Sequence, residues 1–271
     1  MHIEFLGTAG YHPCENRHTT CIYLPDATPQ SGFVLDAGSG LFRLIGRDLP
    51  SQLHIFMSHA HLDHSGGLTF LLDVLHGKNC TVTVYGNALT LHAVTQTLFG
   101  LPLFPVEFRF RTHVVEAGVP FEVDGVQIEA FALTHPGGSM GYRFHWPQKD
   151  TSAASSTRSS TSQFSVPQPS GAKSLAYVTD TVGDGLYLDH IRDVDVLIHE
   201  RNFADNLQDV AILTGHCSSS DVANVARETR PRQLLLMHFN PLPDSDPALE
   251  DDLAEEFPDA VFTRDNQIIE F

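Results

Sequence analysis

Short apolar runs recur along the chain, punctuated by glycine, proline and aspartate. HIEFLG (2–7), TTCIYL (19–24), GFVLDAG (32–38), LHIFMSH (53–59) and TVTVYG (81–86) occupy the first third. VQIEAFAL (126–133), MGYRFHW (140–146), SLAYVTD (174–180), DVLIHE (195–200) and QLLLMHF (233–239) follow. Several carry Val, Ile and Leu without polar alternation, the pattern of strands buried on both faces. Helical signatures lie between them. GLTFLLDVLHG (67–77) and ALTLHAVTQTLFG (88–100) each end at glycine. SSSDVANVARETR (218–230) opens on cap-forming serines and carries Val222, Val225 and Ala226 on one side. Strands alternating with helices predict an α/β protein, its sheets covered by helices. The segment 147–173, rich in Ser, Thr and Pro, breaks the pattern. Its shortage of apolar residues predicts a flexible insertion within a single domain spanning 1–271.

Chemistry concentrates in SHAHLDHSGG (58–67), which reads His59-x-His61-x-Asp63-His64. In an extended segment His59, His61 and Asp63 project one way, and His64 serves the opposite side. Neutral imidazole and carboxylate are the usual ligands of zinc and its neighbours. Four more side chains of suitable type stand where apolar runs end: His135, Asp180, Glu200 and His238. Strand ends at the rim of an α/β sheet are where active sites gather.

In these motifs the chain resembles the metallo-β-lactamase superfamily, and within it the ribonuclease Z-like phosphodiesterases. The resemblance runs through FLGTAG, LDAGSG, SHAHLDHSGG, LTHPGGSMGYRF, AYVTDT, IHERNF, TGHCSSSDVANVAR and LLLMHFNP, in that order, leaving out 147–173. It implies a four-layer αββα sandwich with two metal ions at its edge. Carried over by position, His59, His61 and His135 would hold one metal. Asp63, His64 and His238 would hold the other, with Asp180 bridging both. Two Zn2+ ions are expected, and Mn2+ or Fe2+ suits the same donors. A metal-bridging hydroxide would be the nucleophile, formed near neutral pH without a separate strong base. Asp63 is a candidate catalytic residue as well as a ligand. Also catalytic by resemblance are His216, beside the scissile phosphate, and Glu200, the carboxylate that orients it. Glyoxalase-type hydrolases share all seven ligands, so thioester or lactone hydrolysis stays open beside phosphodiester hydrolysis. A phosphate-ligand sensor that keeps the site but turns over little is a third reading, of another class.

The formal charge is −17. So acidic a chain is poorly suited to gripping long nucleic acids, because such binding rests on Lys and Arg at phosphates. The bacterial relatives implied by the resemblance carry a tRNA-gripping arm between the counterparts of His135 and Asp180. Here that interval holds the 147–173 insertion, whose cations are Lys149, Arg158 and Lys173 against Asp150. A small anionic phosphodiester is therefore the expected substrate, with tRNA unlikely. The expected location is cytoplasmic: there is no signal-like N-terminus, no membrane-length apolar run and no CxxC pair among four cysteines. The resemblance implies a homodimer as well.

Overall fold

The computed structural model describes residues 1–100, 103, 104, 106, 110–148, 172–242 and 257–271. Most of the 147–173 segment lies outside the described residues.

Among these residues each of two mixed sheets has seven strands. The first contains β1 (His2–Gly7), β2 (Cys21–Leu24), β3 (Ser31–Leu35), β4 (Gln52–Phe56), β5 (Thr81–Gly86) and β6 (Arg111–Val114). The second contains β7 (Phe121–Val123), β8 (Val126–Ala132), β9 (Met140–Trp146), β10 (Lys173–Val178), β11 (Val196–Glu200), β12 (Gln233–Met237) and β13 (Val261–Phe262). The chain then returns to the first sheet, where β14 (Gln267–Glu270) pairs antiparallel with β1. In each sheet one half is antiparallel and the other parallel: β3–β4–β5–β6 in the first, β10–β11–β12–β13 in the second.

Side chains from both sheets interlock between them, with Phe5, Phe33 and Phe56 meeting Tyr142, Phe144 and Tyr177. Truncating a fully buried ring such as Phe56 to alanine would cost about 3–5 kcal/mol. The outer face of the first sheet packs under a 3₁₀ turn (Ser39–Leu44) and the segment containing α1 (Leu62–Ser65), α2 (Leu71–Val74) and α3 (Ala88–His92). The outer face of the second packs under α5 (Ser219–Thr229), which follows α4 (Gln208–Thr214). This is the αββα sandwich the motifs imply.

Local differences from expectation have plain causes. The run 88–100 is α-helical only to His92 and continues as a π-helical turn, Ala93–Leu98. β6 reads RTHV and is exposed along its length, so no apolar run announces it. β10 begins at Lys173, the last residue of the expected insertion. The β7–β8 hairpin turns on Asp124-Gly125, both at positive φ (49° and 85°), the backbone that a two-residue hairpin of this hand demands. β3, β4, β10, β11 and β12 all finish at one edge of the sandwich, where Asp36, Ser58, Asp180, Glu200 and His238 emerge.

Candidate metal centre

β4 stops at Phe56, and the chain turns so that His61 precedes the first turn of α1. Asp63 and His64 therefore sit in a helical turn and not on a continued strand, as the extended reading had them. The turn sets the His64 ring against that of His59, 4.3 Å between centroids, while His61 approaches His59 from another side at 4.4 Å. Two groups result, one of His59, His61 and His135, the other of Asp63, His64 and His238, and Asp180 belongs to both. Its Oδ2 lies 3.6 Å from Nε2 of His59 and 3.6 Å from Nε2 of His135. Its Oδ1 lies 3.2 Å from Nε2 of both His64 and His238. One carboxylate thus divides its two oxygens between two sets of imidazoles.

The donor set suits divalent cations. Buried polar nitrogens nearly always have partners, yet Nε2 of His59 is buried without one. Nε2 of His64 faces Nε2 of His238 at 3.1 Å, and Nε2 of His135 faces Nδ1 of His61 at 3.4 Å. Burial keeps His59, His61 and His135 below the usual imidazole value, which leaves them neutral with lone pairs to donate. Burial also opposes charge on His64, but Asp180, Asp63 and Asp36 outweigh it and raise its pKa well above the ordinary. A cation bound here takes the place of that proton. Burial works against ionising Asp180 too; the imidazoles of His238, His64 and His59 prevail and hold it far below the normal carboxylate range.

Supporting contacts orient the cluster, as outer partners do at metal sites. Asp36, fully buried, lies 2.8 Å from Nδ1 of His64 and accepts from the Ser58 backbone N–H (2.7 Å), the Ser58 hydroxyl (2.6 Å) and the Tyr177 hydroxyl (2.6 Å). Nδ1 of His135 donates to the Gly215 carbonyl at 2.8 Å, and the Asn202 amide lies 2.9 Å from Nδ1 of His238. Gly215 closes α4 at φ 82°, and a Cβ there would meet Nδ1 of His135 at 2.8 Å, so no other residue fits. Asp36, Asp180 and His238 have φ of 54°, 39° and 59°. Strained backbone collected at one spot marks a site held in place by its surroundings. These supports all lie inside the quoted motifs, Asp36 in LDAGSG, Ser58 in SHAHLDHSGG, Tyr177 in AYVTDT, Asn202 in IHERNF and Gly215 in TGHCSSSDVANVAR, but their supporting roles show only once the sheets assemble.

His216 stands beside the cluster, its ring 5.4 Å from that of His238. Its Nδ1 lies 3.1 and 3.2 Å from the Glu200 oxygens. Glu200 is fully buried and its Oε1 accepts the Thr181 N–H at 2.6 Å. Burial disfavours a charged His216, but the Glu200 carboxylate overcomes it and lifts the pKa to about 9. The cap of α5 is Ser218, in a reciprocal box with Asp221, which leaves the His216 ring free of that task. Tyr11, His61, His135, Thr214 and His216 wall a cavity of about 160 Å³ over the cluster.

The family model described as a β-lactamase superfamily domain matches residues 24–239. The chain belongs to the metallo-β-lactamase superfamily. The ribonuclease Z of a Picosynechococcus species is 27% identical over 98% of this chain and 95% of the relative. That of Methanosarcina acetivorans is 25% identical over 93% and 92%. The fold of human short-form tRNase Z superposes on all of this chain and 99% of its own, with a TM-score of 0.71 at 21% identity. Within the superfamily the chain falls in the ribonuclease Z-like branch, as a metal-dependent hydrolase of the phosphodiesterase type.

These relatives overturn the expectation that tRNA is an unlikely substrate. Net charge was the wrong guide: it describes the far field, whereas a metal-lined site presents its own local positive charge to a phosphate. Nor can composition of 147–173 decide the matter, since RNA can be held by contacts elsewhere on the surface. Among the described residues no helix is long and apolar enough to cross a membrane.

Proposed function

We propose that this chain is a dinuclear zinc phosphodiesterase acting on RNA-type phosphodiesters, tRNA included, with a small or cyclic diester as the minimal substrate. The observation that carries this reading is the division of the Asp180 carboxylate between the two imidazole sets. His59, His61 and His135 would hold one ion; Asp63, His64 and His238 the other; Asp180 would lie between. Mixed imidazole and carboxylate donors suit zinc, with Mn2+ and Fe2+ compatible. When bound, the metal pair supplies Lewis-acid charge to phosphoryl oxygens and acidity to water.

The protein's own groups do the rest. Asp36, through Ser58 and His64, keeps the ligand nitrogens aimed. His216 is the proton donor to the departing oxygen, because its raised pKa keeps it protonated at neutral pH. Glu200, anchored by the Thr181 N–H, fixes the imidazole so that Nε2 faces the cavity. A proton donor set beside the anion-binding cavity favours phosphodiester over thioester hydrolysis, since a thiolate leaves without one.

The test compares initial rates on bis-p-nitrophenyl phosphate, S-lactoylglutathione and a 3′-extended tRNA, with metal content measured on the same sample. Diester and tRNA cleavage with close to two zinc ions per chain is expected. Turnover of the thioester alone would overturn the assignment.

A further inference from the structure

Tyr11 has the wrong backbone for its side chain. Its φ is +58°, and the His12 N–H donates to the Gly10 carbonyl at 2.7 Å, closing a γ-turn of the rare, strained hand. Glycine would relax there; a tyrosine does not. The turn cannot slip to relieve itself. The Tyr11 N–H donates to Oδ2 of Asp63 at 2.8 Å, and the Gly10 N–H to the Phe239 carbonyl at 2.9 Å. A Cβ on Gly10 would lie 2.6 Å from the His238 ring, so the loop already touches the floor of the site. Nor is the ring buried in compensation: Tyr11 is 80% exposed, while it borders the cavity over Asp63 and His238. A large aromatic side chain is thus displayed at the mouth of the site, on a strained turn, its ring meeting the neighbouring His12 ring edge-on at 5.2 Å and otherwise left largely to solvent. Strain kept in place beside a reactive centre points to use there.

The cavity says what meets the ring. At about 160 Å³ it is smaller than the roughly 300–1,000 Å³ of pockets that enclose a whole ligand. Its floor is imidazoles and carboxylates, with Pro136 and Thr214 at the side, a lining and a size matched to a phosphoryl group and cations and not to a flat heterocycle. The phosphoryl group enters, and the nucleoside it carries must lie across the rim, where Tyr11 presents a π-face. We propose that Tyr11 is a specificity residue: its ring is the stacking platform for the nucleobase adjoining the scissile phosphate. This rests on the phosphodiesterase reading above. Stacking of this kind accepts every base, so the device selects nucleoside diesters over aliphatic ones without reading sequence.

Two esters with one leaving group test it on the metal-loaded protein: adenosine 5′-(p-nitrophenyl phosphate) and methyl p-nitrophenyl phosphate. The readout is the ratio of their kcat/KM values. Tyr11→Gly removes the ring and relaxes the turn, so misfolding does not confound it. That variant should lower the preference for the adenosine ester by about 5–150-fold, the scale of one lost base–aromatic stack. Tyr11→Phe should keep the preference, and inhibition by adenosine monophosphate should weaken in Tyr11→Gly alone. An unchanged preference in Tyr11→Gly, even if both rates fall together, would overturn the proposal and leave the turn as a prop for Asp63. Wild-type protein that cleaves neither ester but hydrolyses S-lactoylglutathione would sink the phosphodiesterase reading, and this inference with it.

Discussion

A second histidine–aspartate cluster joins the two sheets, built from Ser31, His54, Tyr85 and Asp124. His54 is buried on β4, with Nδ1 3.1 Å from the Tyr85 hydroxyl and Nε2 3.2 Å from Asp124, across in the β7–β8 turn. The Ser31 hydroxyl donates to the same Asp124 oxygen. In that cluster each ring nitrogen has a partner of another kind, and the hydrogen bonding closes on itself. At the Asp180 cluster it does not close. Nε2 of His64 and of His238 crowd to 3.1 Å of each other around the one Asp180 oxygen that both approach at 3.2 Å. Nε2 of His135 faces Nδ1 of His61 at 3.4 Å, and Nε2 of His59, 3.6 Å from the other Asp180 oxygen, has no hydrogen-bond partner. The same residue types make a fastening in one place and a receptacle in the other. What separates them is whether protons and lone pairs balance without an added cation.

The contrast can be broken hardest at the two carboxylates. Asp180→Ala removes the oxygens shared by both imidazole sets. Metal content should fall well below two per chain, and diester hydrolysis by at least the roughly 10²–10⁴ of a lost catalytic group. Elemental analysis and rates on one preparation check this; retention of both ions would end the bridging assignment. Asp124→Asn keeps a residue that tolerates positive φ but weakens the bonds to His54 and Ser31. It should leave metal and rate untouched and lower unfolding free energy by about 1–3 kcal/mol in urea titration. A loss of metal there would show the two clusters to be coupled.

His216 sharpens the comparison, because it pairs with a carboxylate as His54 does yet faces a cavity. On a 3′-extended tRNA, whose departing alkoxide needs a proton as p-nitrophenolate does not, His216→Ala should retain both metals and lose about 10²–10⁴ in kcat. Glu200→Gln should cost less. The pH profile gives the sign. A proton donor works only while protonated, so rate should fall as pH rises through the His216 pKa, lifted to about 9 by Glu200. Cations at Asp180 oppose that lift, so the alkaline limb belongs at or below this value. Glu200→Gln should move it lower still. A limb that stays put in Glu200→Gln would remove Glu200 from any electrostatic role.

How much of this was legible in the sequence follows from distance along the chain. HxHxDH is local, and His135, Asp180, Glu200 and His238 each end an apolar run, so residue type and position can be read together. The supports are not local. Tyr177 reaches Asp36 across 141 residues, and nothing near either one announces the contact. Tyr11 has no sequence signal at all, since a tyrosine in a loop is ordinary until its φ is known. The strands missed were the exposed RTHV of β6, the three-residue β7, and β13 and β14, two and four residues long, which lack a run to detect. α4 was missed because Val210, Ile212 and Leu213 are exposed, so no buried stripe sets its period.

The smallest expected effect tests whether the closed cluster holds its histidine neutral. Burial lowers the His54 pKa below its ordinary value, with Asp124 opposing. In the unfolded chain that histidine takes a proton near pH 6.5. As pH falls below this, the unfolded state therefore binds a proton that the folded state still refuses. Stability present above about pH 6.5 is lost on the acid side, until the folded pKa is reached. Buried His59 and His199, lowered likewise, contribute in the same direction, and His64 and His216, raised by neighbouring carboxylates, in the opposite one, so the informative quantity is a difference between variants. His54→Gln keeps a polar side chain of similar reach and does not titrate. Its unfolding free energy, measured by urea titration at several pH values, should decline less steeply below pH 6.5 than that of the wild type. Parallel declines would mean that Asp124 lets His54 charge in place. The cluster would then be an ion pair across the sheets, and the acid sensitivity would belong to the metal edge alone.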